Sequence, residues 1–125
     1  MTNYPVGDFL IRLNNSALAG VKEVVVPATK LVKETAQTLK KAGYLTTVED
    51  KKGMLTVSLA FKNKKPVIMK IKLVSKPGLR IYLGRSEIEA KKGASTYLVS
   101  TSQGIMLSKE AIKSNLGGEV LAEIW

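Results

Sequence analysis

Residues 98–106 read Leu98-Val99-Ser100-Thr101-Ser102-Gln103-Gly104-Ile105-Met106. Two apolar runs flank three hydroxyl residues, a glutamine and a glycine, which predicts a turn between two strands. Each hydroxyl both donates and accepts hydrogen bonds, and glycine allows a close approach to the backbone. An uncharged polar turn of this kind suits the shape and the 2'-hydroxyls of an RNA backbone. Ordinary hairpin turns use the same residue types, so this stretch alone leaves both interpretations open.

A second glycine turn, Gly117-Gly118, follows about one short helix further along. The surrounding segment, 67–125, is predicted to be mostly β with short helices. Within it Met69, Ile71 and Leu73 alternate with lysines, which predicts a strand with one buried and one basic face. The expected strands are 67–74, 79–83, 94–99 and 119–125, with a short helix at 109–114.

Local signals predict how these elements begin and end. Pro77-Gly78 suits the centre of a type II turn. The spacing from Ser86 to Glu89 is that of a capping box that opens a helical turn. Ser108 is expected to cap the helix at 109–114.

Residues 1–66 are predicted to form a small unit of order α-β-α-β-β. Pro5 suits the first turn of a helix, a β-branched strand stops at Pro27, and Thr29 caps a second helix. Helical spacing predicts that the following residues face the core: Val6, Phe9, Leu10 and Leu13 on the first helix, and Leu31, Val32, Ala36 and Leu39 on the second.

The rest of this unit is predicted to be a hairpin and a linker. Segments 44–48 and 54–61 are expected to pair across a polar turn at 49–53. The run Lys62-Asn63-Lys64-Lys65-Pro66 reads as a linker. We therefore place a domain boundary after Pro66. The order of elements on either side predicts an α+β protein of two small domains, an N-terminal α+β domain at 1–66 and a C-terminal, β-rich, RNA-binding domain at 67–125.

The charge of the chain indicates a polyanionic partner. Twenty Lys and Arg residues against ten Asp and Glu residues give a formal charge of +10, with +6 in residues 1–66 and +4 in residues 67–125. Such a field recruits nucleic acid, ahead of an anionic membrane surface. Because only Arg12, Arg80 and Arg85 are arginines, readout of guanine edges in a major groove is disfavoured.

Composition also excludes several classes of function. Without Cys and His, the usual disulfides, zinc sites, thiolate nucleophiles and imidazole bases are absent. The N-terminal residues do not have the pattern of a signal peptide and no apolar run is long enough to span a bilayer, so we expect a soluble protein. Because no phosphate-binding glycine motif and no cluster of carboxylates occurs either, we expect a protein that is not an enzyme and has no cofactor or metal. The alternative to RNA binding is a small basic protein-interaction module with non-specific affinity for nucleic acids.

Two groups of side chains are candidate RNA contacts. Arg80 and Tyr82, two residues apart on one predicted strand face, could form a platform on which a base stacks, although Tyr82 could equally be a half-buried cross-strand aromatic. Phosphates could be contacted by lysines of the second helix and of the following half, although a solvated face is the usual role of such a pattern. These lysines are Lys30, Lys33, Lys40, Lys41, Lys70, Lys72 and Lys76.

Several ordered segments resemble one family, the bacterial form of the eighth protein of the small ribosomal subunit. The similarity runs nearly end to end, although Tyr4-Pro5 stands where the family usually has Asp-Pro. The segments that carry the resemblance are Pro5 to Asn15, Val74 to Tyr82, Leu98 to Met106, Glu110-Ala111 and Leu116 to Leu121.

The resemblance implies two small α+β domains and a structural, non-enzymatic role in the cytoplasmic ribosome, with an early part in the assembly of the small subunit. It implies binding to an irregular helical stem in the central domain of small-subunit ribosomal RNA, contact with neighbouring small-subunit proteins, and binding to the messenger RNA of its own operon as a further partner. By resemblance, the RNA-binding residues are Ser100, Thr101, Ser102, Gly104, Tyr82, Gly117, Gly118 and Glu119, with support from the first helix and Lys30.

Overall fold

Two antiparallel sheets carry the fold, one in each half of the chain, and helices pack against both. The computed structural model describes residues 4–91 and 93–125. The predicted α+β class is confirmed. The elements are α1 (Pro5–Ala19), β1 (Glu23–Pro27), α2 (Lys30–Lys41), β2 (Leu45–Lys51), β3 (Met54–Leu59), β4 (Phe61–Lys62), β5 (Lys65–Pro66), β6 (Ile71–Leu73), β7 (Tyr82–Leu83), α3 (Arg85–Ala90), β8 (Thr96–Thr101), β9 (Gly104–Leu107), α4 (Ser108–Lys113) and β10 (Gly118–Ile124).

The first sheet has the order β1-β3-β2 and is covered by α1 and α2. The Thr29 hydroxyl accepts the N–H of Val32 at 3.2 Å, which confirms the predicted cap of α2. Leu31 was predicted to face the core and is 51% exposed, because the buried face of α2 begins one residue later. The other predicted core residues of the two helices are buried: Val6, Phe9, Leu10, Leu13, Val32, Ala36 and Leu39.

The hairpin of the first sheet has a tighter turn than predicted. Lys51 pairs with Met54, so only Lys52 and Gly53 form the turn, both with positive φ. The polar residues expected in a loop lie instead on β2, an edge strand that is mostly exposed. An exposed edge strand accepts charged side chains, so the polarity of 49–53 was wrongly interpreted as a turn.

The predicted linker is itself a small hairpin. Strands β4 and β5 pair across Asn63 and Lys64, both in the left-handed region. Each side of this hairpin has its own sheet, and we propose it as the boundary between the domains 1–66 and 67–125.

The second sheet is built around β10. Its order is β6-β10-β8-β9, and β7 also pairs with β10. Helices α3 and α4 contact one another and pack on this half, α4 against β8 and β9. None of the helices in the described ranges is long and apolar enough to cross a membrane.

Two predicted strands of this half are shorter than expected. Regular pairing of β6 begins only at Ile71, because the chain before it bonds to the C-terminal residue: Met69 N–H donates to the Trp125 carbonyl at 2.8 Å. Met69 is therefore 73% exposed, and the neighbouring Ile68 is buried in its place. Similarly, β7 contains only Tyr82–Leu83, because the Ile81 N–H bonds to the Ser75 hydroxyl instead of a strand.

The predicted caps were wrong for both short helices. Helix α3 begins after Gly84, whose N–H donates to Glu87 at 3.1 Å, so Ser86 is not its cap. Ser108 lies inside α4, and its hydroxyl accepts the N–H of Tyr97 at 3.1 Å. In contrast, Gly78 has φ +83 in a turn closed by Lys76 and Leu79, as the type II prediction requires.

The two halves share a hydrophobic core. One buried cluster contains Phe9 and Leu39 from the first half and Leu98, Leu121 and Ile124 from the second. A polar contact accompanies it, since Asn14 on α1 accepts the N–H of Ile71 at 2.9 Å. The second sheet thus packs against both helices of the first half, β9 against α2 and β6 against α1.

Ser75→Ala should lower the free energy of unfolding by about 1 to 3 kcal/mol, because a buried N–H loses its partner. The Ser75 side chain is fully buried, accepts the Ile81 N–H at 2.9 Å and donates to the Val120 carbonyl at 2.7 Å. Urea denaturation measures the change. Ser86→Ala is the control, because this exposed hydroxyl makes no hydrogen bond within the described residues; equal stability of the two variants would contradict the assignment.

Candidate nucleic-acid interface

Strand register gathers most of the predicted RNA-binding residues at one end of the second sheet. Across three strands, Glu119 on β10 pairs with Tyr82 on β7 and with Ser100 on β8. In the next row Gly118 pairs with Thr101, which in turn pairs with Gly104. Residues far apart in the sequence thus form two adjacent rows.

The hydroxyl stretch is a hairpin whose turn is only Ser102 and Gln103. Both residues are exposed, whereas Ser100 and Thr101 lie on β8. The Thr101 hydroxyl donates to the Gly104 carbonyl at 2.8 Å and accepts the Gln103 N–H at 3.1 Å, so it shapes the turn. Among the described residues, no partner bonds the hydroxyls of Ser100 and Ser102, which therefore remain available to a ligand.

The glycine turn is explained by close packing within the protein. A Cβ on Gly118 would overlap the carbonyl oxygen of Ser100, and one on Gly117 would lie 2.5 Å from the carbonyl oxygen of Leu83. No side chain fits between such backbones. These glycines are required for the sheet to form, whatever they do for a ligand.

A cleft of about 420 Å³ lies beside the two rows, between the halves of the chain. It brings together four predicted site residues: Lys30 from the start of α2, and Arg80, Ser100 and Glu119 from the second half. Lys30 is exposed. The remaining walls are Tyr4, Pro5, Val6, Thr29, Leu31, Ile105 and Leu121.

Arg80 and Glu119 form an ion pair inside this cleft. The guanidinium lies 3.2 Å from a Glu119 carboxylate oxygen and stacks on the Tyr4 ring, 4.5 Å from its centroid. Burial raises the pKa of the Tyr4 phenol, Glu119 raises it further and Arg80 opposes both. Tyr4 is thus a neutral aromatic wall that sequence reasoning missed, because only the fold brings position 4 against position 80.

The other candidate contacts lie outside the cleft. Tyr82 is 68% exposed, which excludes the half-buried cross-strand interpretation and leaves its ring open to stacking. On α2, Lys33, Lys40 and Lys41 are all exposed, and Lys33 pairs with Asp50 at 3.0 Å. Within residues 4–91 and 93–125 no cluster of acidic side chains has the arrangement of a metal site.

Comparison with known proteins identifies relatives over the whole chain. The model of the family described as Ribosomal protein S8 matches residues 4–125. Proteins named small ribosomal subunit protein uS8 are similar at full length: that of Nitratidesulfovibrio vulgaris strain DP4 is 41% identical, with all of both chains covered. The protein of Enterococcus faecalis is 39% identical and that of Heliobacterium modesticaldum 42% identical, each covering 97% of this chain and 96% of the relative.

Gly118→Ala should lower the free energy of unfolding by at least about 2 kcal/mol, because overpacking against a backbone forces the strands apart. Thermal unfolding measures the change. Gly93→Ala is the matched control, since its added Cβ would meet no atom within 4 Å. Equal melting temperatures would show that β8 and β10 separate without cost.

Proposed function

Because the chain belongs to the ribosomal protein S8 family, we propose that it binds an irregular helical stem in the central domain of small-subunit ribosomal RNA. Family membership makes it a structural component of the small ribosomal subunit in the cytoplasm and not an enzyme. Its partners are therefore ribosomal RNA and neighbouring ribosomal proteins. The choice of stem, the early role in assembly and the messenger RNA of its own operon as a second ligand are parts of the proposal.

The observation that carries the proposal is the paired row of Tyr82, Glu119 and Ser100 beside the exposed turn at Ser102. An exposed aromatic ring, a carboxylate and unbonded hydroxyls can stack on a base and bond a 2'-hydroxyl or a base amino group. These groups read RNA shape and do not merely attract phosphate. A regular duplex buries its base faces, so the site favours an irregular stem.

Charge supplies the second component of binding. With +10 on 125 residues, phosphate contacts contribute affinity that is independent of sequence and falls with salt. Lys30 is exposed and lines the cleft together with Ser100 and Glu119, so its ammonium is available for such a contact. Arg80 is held by Glu119 and Tyr4, and would act as part of a rigid wall.

The proposal is tested by fluorescence anisotropy of the purified chain with two labelled RNAs of equal length. One contains the irregular stem and the other is a fully paired duplex. Affinity for the irregular stem should persist as salt rises, while affinity for the duplex falls steeply. Equal slopes for both RNAs would favour a basic protein-interaction module that binds nucleic acid without discrimination.

Ser102→Ala should weaken binding to the irregular stem by roughly 1 to 3 kcal/mol, because a buried RNA group loses its hydrogen-bond partner. Anisotropy titration at fixed salt measures the dissociation constant. Ser58→Ala, in the first sheet, is the control and should bind as the wild type does. An unchanged dissociation constant for Ser102→Ala would remove this hydroxyl from the site.

Lys30→Ala should weaken binding to the irregular stem and to the duplex alike, because a phosphate contact positions RNA without reading it. The slope of log affinity against log salt should fall by about one. Lys65→Ala removes the same charge from the β4–β5 hairpin and serves as control. A loss confined to the irregular stem would instead make Lys30 a recognition residue.

A further inference from the structure

Strand β9 follows the turn at Ser102 and Gln103, and side chains bond to its outer edge, where another strand could otherwise pair. Strand β9 is the outer strand of its sheet. The N–H of Ile105 donates to Glu34 Oε1 at 2.7 Å. The hydroxyl of Thr38 shares its proton between the Ile105 carbonyl, at 3.0 Å, and the Glu34 carbonyl of its own helix, at 2.9 Å. Both backbone groups of Ile105 are therefore satisfied by α2, a helix of the other half.

Glu34 also lies close to Gly104, the first residue of β9 after the turn. Gly104 has φ +113, and a Cβ there would lie 2.7 Å from the same Glu34 oxygen. Hydrogen bonds from a backbone N–H to a carboxylate are stronger than those between neutral groups. Within the described residues Glu34 has no ion-pair partner, so its carboxylate interacts with the N–H of Ile105 and not with a basic side chain.

One face of α2 connects the hairpin to the cleft. Lys30, Glu34 and Thr38 are spaced four residues apart and lie along the same side of the helix. Lys30 lines the cleft, while Glu34 and Thr38 hold the strand that follows Ser102. The strand that follows the turn is thus bonded by two side chains of the helix that also lines the cleft.

We infer that Glu34 is a positioning residue for RNA recognition, which fixes the Ser102 turn in register with the cleft through Ile105 and Gly104. The inference rests on the proposed function of the turn. Without the carboxylate, the N–H of Ile105 would seek water and the turn would no longer be anchored at its C-terminal side. The two rows of the sheet would stay paired, since they do not involve Glu34.

The test compares Glu34→Ala with Glu34→Gln, which loses the same charge but keeps an amide oxygen able to accept the Ile105 N–H. Glu34→Ala should weaken binding to the irregular stem roughly tenfold, as expected for the loss of a charged hydrogen bond. Binding to the paired duplex should not weaken, because the net charge of the protein rises. Glu34→Gln should recover most of the loss.

Glu23→Ala is the matched control, because it removes an exposed carboxylate from β1 and should keep the wild-type ratio of the two affinities. All titrations are made well below the melting temperatures of the variants. An unchanged ratio of affinities in Glu34→Ala would overturn the inference. A parallel loss for both RNAs would also overturn it, because it would indicate a general structural role.

Amide NMR of the free protein separates this inference from the proposed function. In Glu34→Ala the resonances of Ser102 and Gln103 should move and the Ile105 amide should exchange faster, while amides of the first sheet keep their positions. Unchanged resonances would overturn the positioning role even if RNA binding fell. If the wild type failed to prefer the irregular stem, the proposed function would fail, while the NMR comparison would still decide whether Glu34 positions the turn.

Discussion

The contact on which the second half depends is the close approach of Gly117 and Gly118, where β10 begins, to the neighbouring strands. There the backbone of β10 meets the carbonyl oxygens of Leu83 and Ser100 with no space for a side chain. This close approach aligns β7, β10 and β8, and it creates the two rows of paired residues from which the candidate interface is built. The stability of the sheet and the geometry of the interface therefore rest on the same two residues.

Much of the fold could be predicted from local patterns. Helix α1, the cap at Thr29 and the turn at Gly78 depend on residues close in sequence, and all were predicted correctly. Two strand predictions failed where a group outside the strand took a backbone bond. Ser75, six residues before Ile81, shortens β7, and the carbonyl of Trp125 takes the N–H of Met69, although the alternation within each strand does not indicate this.

The sequence predicted which residues form the candidate site, but it did not predict which of them stabilise the protein and which are available to a ligand. Thr101 and Ser102 are adjacent hydroxyls, yet the first is used to build the turn and only the second is available to RNA. No local sequence pattern indicates the roles of Tyr4 and Glu34, because each role depends on a contact with a residue more than seventy positions away. Only tertiary packing distinguishes such residues from ordinary surface positions.

A register shift between Val120 and Ala122 lets β10 change which side chains it presents to each face of the sheet. Glu119 pairs with Ser100 on the face toward the other half, and after the shift Ala122 and Ile124 occupy that face. In an uninterrupted strand Glu123 would take their place, because alternation has a period of two. One additional residue in β10 thus reverses the alternation of its side chains between the two faces. The reversal keeps Glu123 out of the shared core, while Glu119 on the same strand reaches the cleft.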